Sequence, residues 1–167
     1  VQLVNIGKVS VSDLAVIATI SVIVQIVLQI PTGYIADKWG NRSAILIGSF
    51  LMMLSPLFYI FMPNFTGGLL AAVFNFGGYT FLSGAIEAFI HDTLLALARE
   101  HDYSKVMGRA QSYGLVGNIV LIAVVPATYA ISYNLPFVLG FLAQFIMFVL
   151  ALNFTFVINS FYYTKDI

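Results

Sequence analysis

At 167 residues the chain has the length of one soluble domain, yet 60% hydrophobic residues, 8% charged residues and a mean hydropathy of +0.98 exclude that class. Soluble domains carry about 25% charged residues; water cannot solvate a surface this apolar, and lipid can. Seven basic and seven acidic side chains cancel, which excludes a basic nucleic-acid tract and an acidic solubilising arm, and the absence of cysteine excludes disulfides and thiolate metal sites.

The chain opens on Val1 with no basic segment ahead of a short apolar core, so no signal peptide is read there, and Val1 is expected to be the edge of a longer sequence. A hydrocarbon core of roughly 30 Å takes about 20 apolar residues in helix. The first predicted span covers 14–35 and contains Pro31; Gly40-Asn41 punctuates its end. The second covers 44–63 and contains Pro56, followed by Pro63-Asn64 and Gly67-Gly68. The third covers 69–90, and a charged loop at 99–109 follows it. The fourth covers 110–131, with Pro126 inside and Asn134-Leu135-Pro136 after it; the fifth covers 135–158. Strand-like alternation is missing, and lipid offers unpaired backbone groups no partner, so the expected fold is all-α: a polytopic bundle of five transmembrane helices. Gly108, Gly114 and Gly117 suggest close packing by the fourth span.

Basic residues orient the bundle. Lys38, Arg42, Arg99, Lys105, Arg109 and Lys165 fall on one side of an alternating topology, and only Lys8 falls on the other. The positive-inside rule places the six in the cytoplasm, with the N-terminus outside and the C-terminus inside, in a bacterial-type plasma membrane.

Between the first two spans the sequence reads Pro31-Thr32-Gly33-Tyr34-Ile35-Ala36-Asp37-Lys38-Trp39-Gly40-Asn41-Arg42. Gly33 leaves room for a neighbouring helix, Asp37 stands one turn later on the same face, and Gly40 permits a tight reversal. This resembles the signature loop of the major facilitator superfamily (MFS), between that family's second and third helices. Gly33, Asp37, Lys38, Gly40 and Arg42 match, while Asn41 stands at one of two terminal basic positions. The resemblance implies that residues 1–167 are an incomplete N-terminal bundle, helices two to six of a six-helix half. It implies secondary active transport of a small-molecule substrate, with the lipid bilayer, a missing first helix and the C-terminal half of the same transporter as partners. Such a fragment is not expected to transport alone. The resemblance also makes Asp37 a conformational gate acid and pairs Arg42 or Lys38 with Asp92 or Glu87 in a charge relay; the alternative is that both cations only anchor topology.

Polar residues recur within the spans. Asn75, Tyr79, Ser83 and Glu87 are spaced by four, as are Ser21, Gln25 and Gln29, which keeps each set near one helix face. A carboxylate near the bilayer centre costs on the order of 2.5–3.5 kcal/mol or more, so Glu87 is expected to face protein or water. Gln25, Gln29, Asn75, Tyr79, Ser83, Glu87 and Asn118 are the candidate cavity residues, with interhelical hydrogen bonding as their alternative role. Thr80 stands where the family's proton-linked exporters often carry an arginine, ahead of Gly84, and no paired glycines follow Pro126, so drug–proton antiport is unsupported.

Two other function classes compete. One is a stand-alone membrane structural or assembly subunit. The other is an intramembrane enzyme using Glu87 and His91, one turn apart, although catalytic zinc usually has three protein ligands. No enzyme activity, cofactor, metal or nucleic-acid partner is expected, and no nucleotide loop is present.

Overall fold

The computed structural model describes the backbone of residues 10–163 and the side chains of residues 10–153 except Asp37. Lys8 and Lys165, which enter the orientation argument, lie outside the described residues. Five helices follow in order: α1 Val11–Trp39, α2 Asn41–Phe61, α3 Phe65–Ala96, α4 Tyr103–Tyr129 and α5 Leu135–Tyr163, with a 3-10 turn Glu100–Asp102 ahead of α4. All five are long and apolar enough to cross a membrane, and the described residues contain no strand.

Local chemistry sets the helix ends. Ser10 caps α1 reciprocally: Asp13 N–H donates to Ser10 Oγ (3.1 Å), and Ser10 N–H donates to Asp13 Oδ2 (2.8 Å). Gly40 alone separates α1 from α2, at φ 83 and ψ 152, a region close to one that only glycine occupies without strain. Asn64 caps α3 by accepting from Gly67 N–H at 2.8 Å. At the other end of α3, Ala98 N–H donates to Leu95 O (3.0 Å) and Arg99 N–H to Leu94 O (2.8 Å). Those two bonds form a Schellman closure, with Ala98 at φ 54 where glycine is customary.

Apart from the start of α5 at 135, every helix boundary differs from the sequence expectation, and two of the differences are informative. The second span ends at Phe61, not 63, because the chain turns through Met62 and Pro63 to start the next helix. The 99–109 stretch is not a loop. Outside the hydrocarbon a helix needs no apolar run, and Lys, Met, Arg and Gln are good helix formers, so Lys105 and Arg109 ride on the first turns of α4.

The core lies between α2 and α3, with α1 packed chiefly on α3 and α5 on α2. The buried positions are small: Ala44, Gly48, Ser49 and Ser55 on α2, and Ala71, Ala72, Gly77, Gly78 and Ala85 among those on α3. Lipid exerts no hydrophobic drive between helices, so small residues that let backbones approach take over. A Cβ on Gly48 would stand 2.7 Å from Gly78 O, and one on Gly78 would stand 2.6 Å from Gly48 O. Near this crossing, Ser55 Oγ donates to Ala71 O at 2.8 Å, a buried bond between the helices. Aromatic rings fill the wider gaps: Phe58 against Phe74 (4.9 Å between centroids) and Tyr59 stacked on Phe137 of α5 (4.8 Å).

Large apolar side chains dominate the outside; Ile30, Phe61 and Ile131 are at least three-quarters exposed. So much exposed apolar surface would drive aggregation in water. In a bilayer it is the solvated surface.

Candidate functional site

A cavity of about 290 Å³ opens between the second half of α1 and the middle of α3. Gln29, Thr32, Gly33 and Ala36 line it from α1; Thr80, Phe81, Ser83, Gly84, Ala85 and Ala88 line it from α3; Asn41, the first residue of α2, closes the end nearest the signature loop. Its two glycines border open space, since a Cβ on Gly33 or on Gly84 would meet nothing within 4 Å.

The hydroxyls in this cavity are anchored to their own helices. Thr32 Oγ1 donates to Leu28 O (2.7 Å) and shares the proton with Gln29 O (3.2 Å). Thr80 Oγ1 donates to Phe76 O (2.8 Å) and Ser83 Oγ to Thr80 O (3.3 Å). Each hydroxyl thereby spends its one donor on backbone and keeps its lone pairs as acceptors.

The signature loop sits beside this cavity. Gly33 and Asp37 occupy the last turns of α1, Lys38 precedes Trp39 at its end, and Gly40 reverses the chain into Asn41 and Arg42. The Asp37 side chain lies outside the described residues. Lys38 is exposed, with Nζ 6.0 Å from the centre of the Tyr34 ring, and Arg42 is half-buried. Asp92, near the end of α3, accepts from Asn41 Nδ2 at 3.4 Å. The amide at the position where a cation is customary therefore reaches the acid that the sequence singles out. His91 Nδ1 stands 3.6 Å from Asp92 Oδ1, and the His91 ring meets Tyr103 edge-on at 5.8 Å, so the ends of α3 and α4 meet here.

Of the residues expected to form a substrate cavity, Gln29 and Ser83 line it. Gln25 and Asn75 are half-buried, Tyr79 and Glu87 are exposed, and none of the four lines the cavity. Asn118 is exposed on α4, far from the α1–α3 cleft in sequence and outside its lining. Glu87 and His91 are both exposed, and among the described residues no group of three His, Asp or Glu is placed to hold a metal ion. Thr32 and Thr80 line the cavity without having been singled out for it; the signal for Thr80 was its place four residues before Gly84 on the same face. The α4 glycines Gly108, Gly114 and Gly117 have nothing within 4 Å of a Cβ, so the close approach expected there occurs instead at Gly48 and Gly78.

Five apolar helices of spanning length define a polytopic membrane protein. The sequence profile of the Major Facilitator Superfamily matches residues 4–161, and the chain belongs to that family of membrane transporters. No curated protein and no solved structure matches it.

Proposed function

We propose that the chain works within a secondary active carrier that moves a small solute through an alternating-access cycle, with the α1–α3 cavity as part of the solute path. The observation that carries this is the cavity itself. Polar side chains are expensive in lipid, and here they gather on two facing helices around an open volume beside the signature loop. A structural or assembly subunit has no use for such a space. In this reading α1 to α5 take the places of helices two to six of an MFS half, with the Gly40 hairpin and the Arg99–Arg109 region facing the cytoplasm. Asp37 acts as the gate acid. The proximity of Asn41 to Asp92 supports a relay between the loop and the end of α3, in which Arg42 or Lys38 pairs with Asp92 or Glu87.

The test is solute counterflow in proteoliposomes carrying the intact gene product, without ATP. Exchange of a labelled solute that Gly84→Leu removes and Asp37→Asn slows supports the proposal. Exchange that requires ATP, or no exchange across neutral, cationic and anionic solutes, contradicts it.

A further inference from the structure

Pro56 stands inside α2 and has no N–H, so it cannot donate to the carbonyl of Met52, one turn before it. Inside lipid a carbonyl freed in this way needs a donor from a side chain, a neighbouring helix or water. Ser55, beside the proline, gives its proton to Ala71 O on α3 at 2.8 Å and is not available. Across the gap, α5 carries a matching defect. Among the described residues, Gln144 Oε1 is the only buried side-chain oxygen or nitrogen with no hydrogen-bond partner.

Ring and proline contacts fix the register of the two helices. Tyr59 stacks on Phe137, Pro56 Cγ lies 3.9 Å from where a Cβ on Gly140 would stand, and Phe50 meets Phe148 at 5.7 Å. The helices therefore run antiparallel, and Gln144, midway between Gly140 and Phe148, falls opposite the turn 52–56 that Pro56 leaves open. In a helix the carbonyl four residues before a proline lies against the proline ring. Met52 O is thus on the side of α2 that carries the Pro56 ring, which is the side that meets α5. Two acceptors and no donor converge on one turn, and Gly140 adds no side chain to fill it. We infer that this turn holds one buried water, which donates one proton to Met52 O and the other to Gln144 Oε1. Two hydrogen bonds are the lower end of what a buried water makes, and water is the smallest molecule that can donate to two acceptors at once. The bridge ties the proline turn of α2 to α5. A reversed Gln144 amide, donating Nε2–H straight to Met52 O, is the competing arrangement.

The experiment is synchrotron hydroxyl-radical labelling of the full chain in lipid nanodiscs, read by mass spectrometry. Radiolysis of a bound water oxidises the side chains beside it even where bulk water has no access. The turn 52–56 should be oxidised, and Gln144→Leu should lower that oxidation several-fold while Met62, exposed at the end of α2, is unchanged. A double-mutant cycle in detergent unfolding supplies the second arm. Pro56→Ala returns a helix donor to Met52 O, so Gln144→Leu should lower the folding constant about threefold to tenfold more in the unaltered background than in Pro56→Ala. Oxidation at the turn together with this coupling supports the water. Coupling without oxidation in the unaltered protein means a direct amide bond and overturns the water. Oxidation that persists in Gln144→Leu, or an absence of coupling, overturns Gln144 as its partner and the inference with it.

Discussion

The α2–α3 pair and α4 are both membrane-length helices with several small residues, and they behave in opposite ways. At the α2–α3 crossing Gly48 and Gly78 let backbone meet backbone, and Ser55 reaches across to Ala71 O. On α4 no described residue is buried, its three early glycines face open space, and Ser112 donates only to Gly108 O in its own helix. The lesson is that a small residue stabilises a membrane helix only where another backbone is positioned to use the gap. The α2–α3 pair is therefore the rigid part of the bundle, and α4 is held mainly at its ends.

Substitutions can break or sharpen that contrast. The largest effect is expected for Gly78→Leu, whose side chain must displace the α2 backbone. It should cost about 3 kcal/mol of stability in detergent unfolding, whereas Gly117→Leu on α4 should cost nothing and gain up to about 0.8 kcal/mol of helix propensity. Equal losses at the two positions would end the distinction. Gly40→Ala forces a Cβ into a conformation suited to glycine, and a loss of about 1–3 kcal/mol is expected from the same assay; no change would mean that the hairpin relaxes freely. Ser55→Ala deletes the buried bond between helices and should cost about 0.6–1.7 kcal/mol, against no measurable change for Ser112→Ala. The smallest effect is a gain: Ala98→Gly relieves the left-handed residue where α3 hands over to α4. It should raise stability by about 0.5–1 kcal/mol, read as a higher melting temperature.

The sequence made the bilayer-crossing segments and the signature loop legible, because length and apolarity alone decide a span and because Gly40 leaves one geometry for so short a link. It was poorer on facing. Residues spaced by four drift about 40° per step on a helix of 3.6 residues per turn. From Asn75 to Glu87 the stripe therefore turns by about 120°, and only Ser83 of that set ends up lining the cavity. Thr80, Gly84 and Ala88 follow the face that α1 actually meets. The glycines misled for a related reason: nothing in Gly114 or Gly117 tells which helix will stand opposite, whereas Gly48 and Gly78 matter only because they meet each other. The start of α4 was missed because its first turns are polar, and hydropathy is silent about a helix once it leaves lipid.

The central claim is that water reaches the proposed solute path in the α1–α3 cleft and does not reach the exposed apolar flank of α4. The chain has no cysteine, so single-cysteine labelling by a membrane-impermeant maleimide in sealed, inside-out vesicles reads both sites without background. Gly84→Cys should react and Ile122→Cys, although two-thirds exposed in the protein, should not. Rapid labelling at Ile122→Cys together with silence at Gly84→Cys would contradict the account.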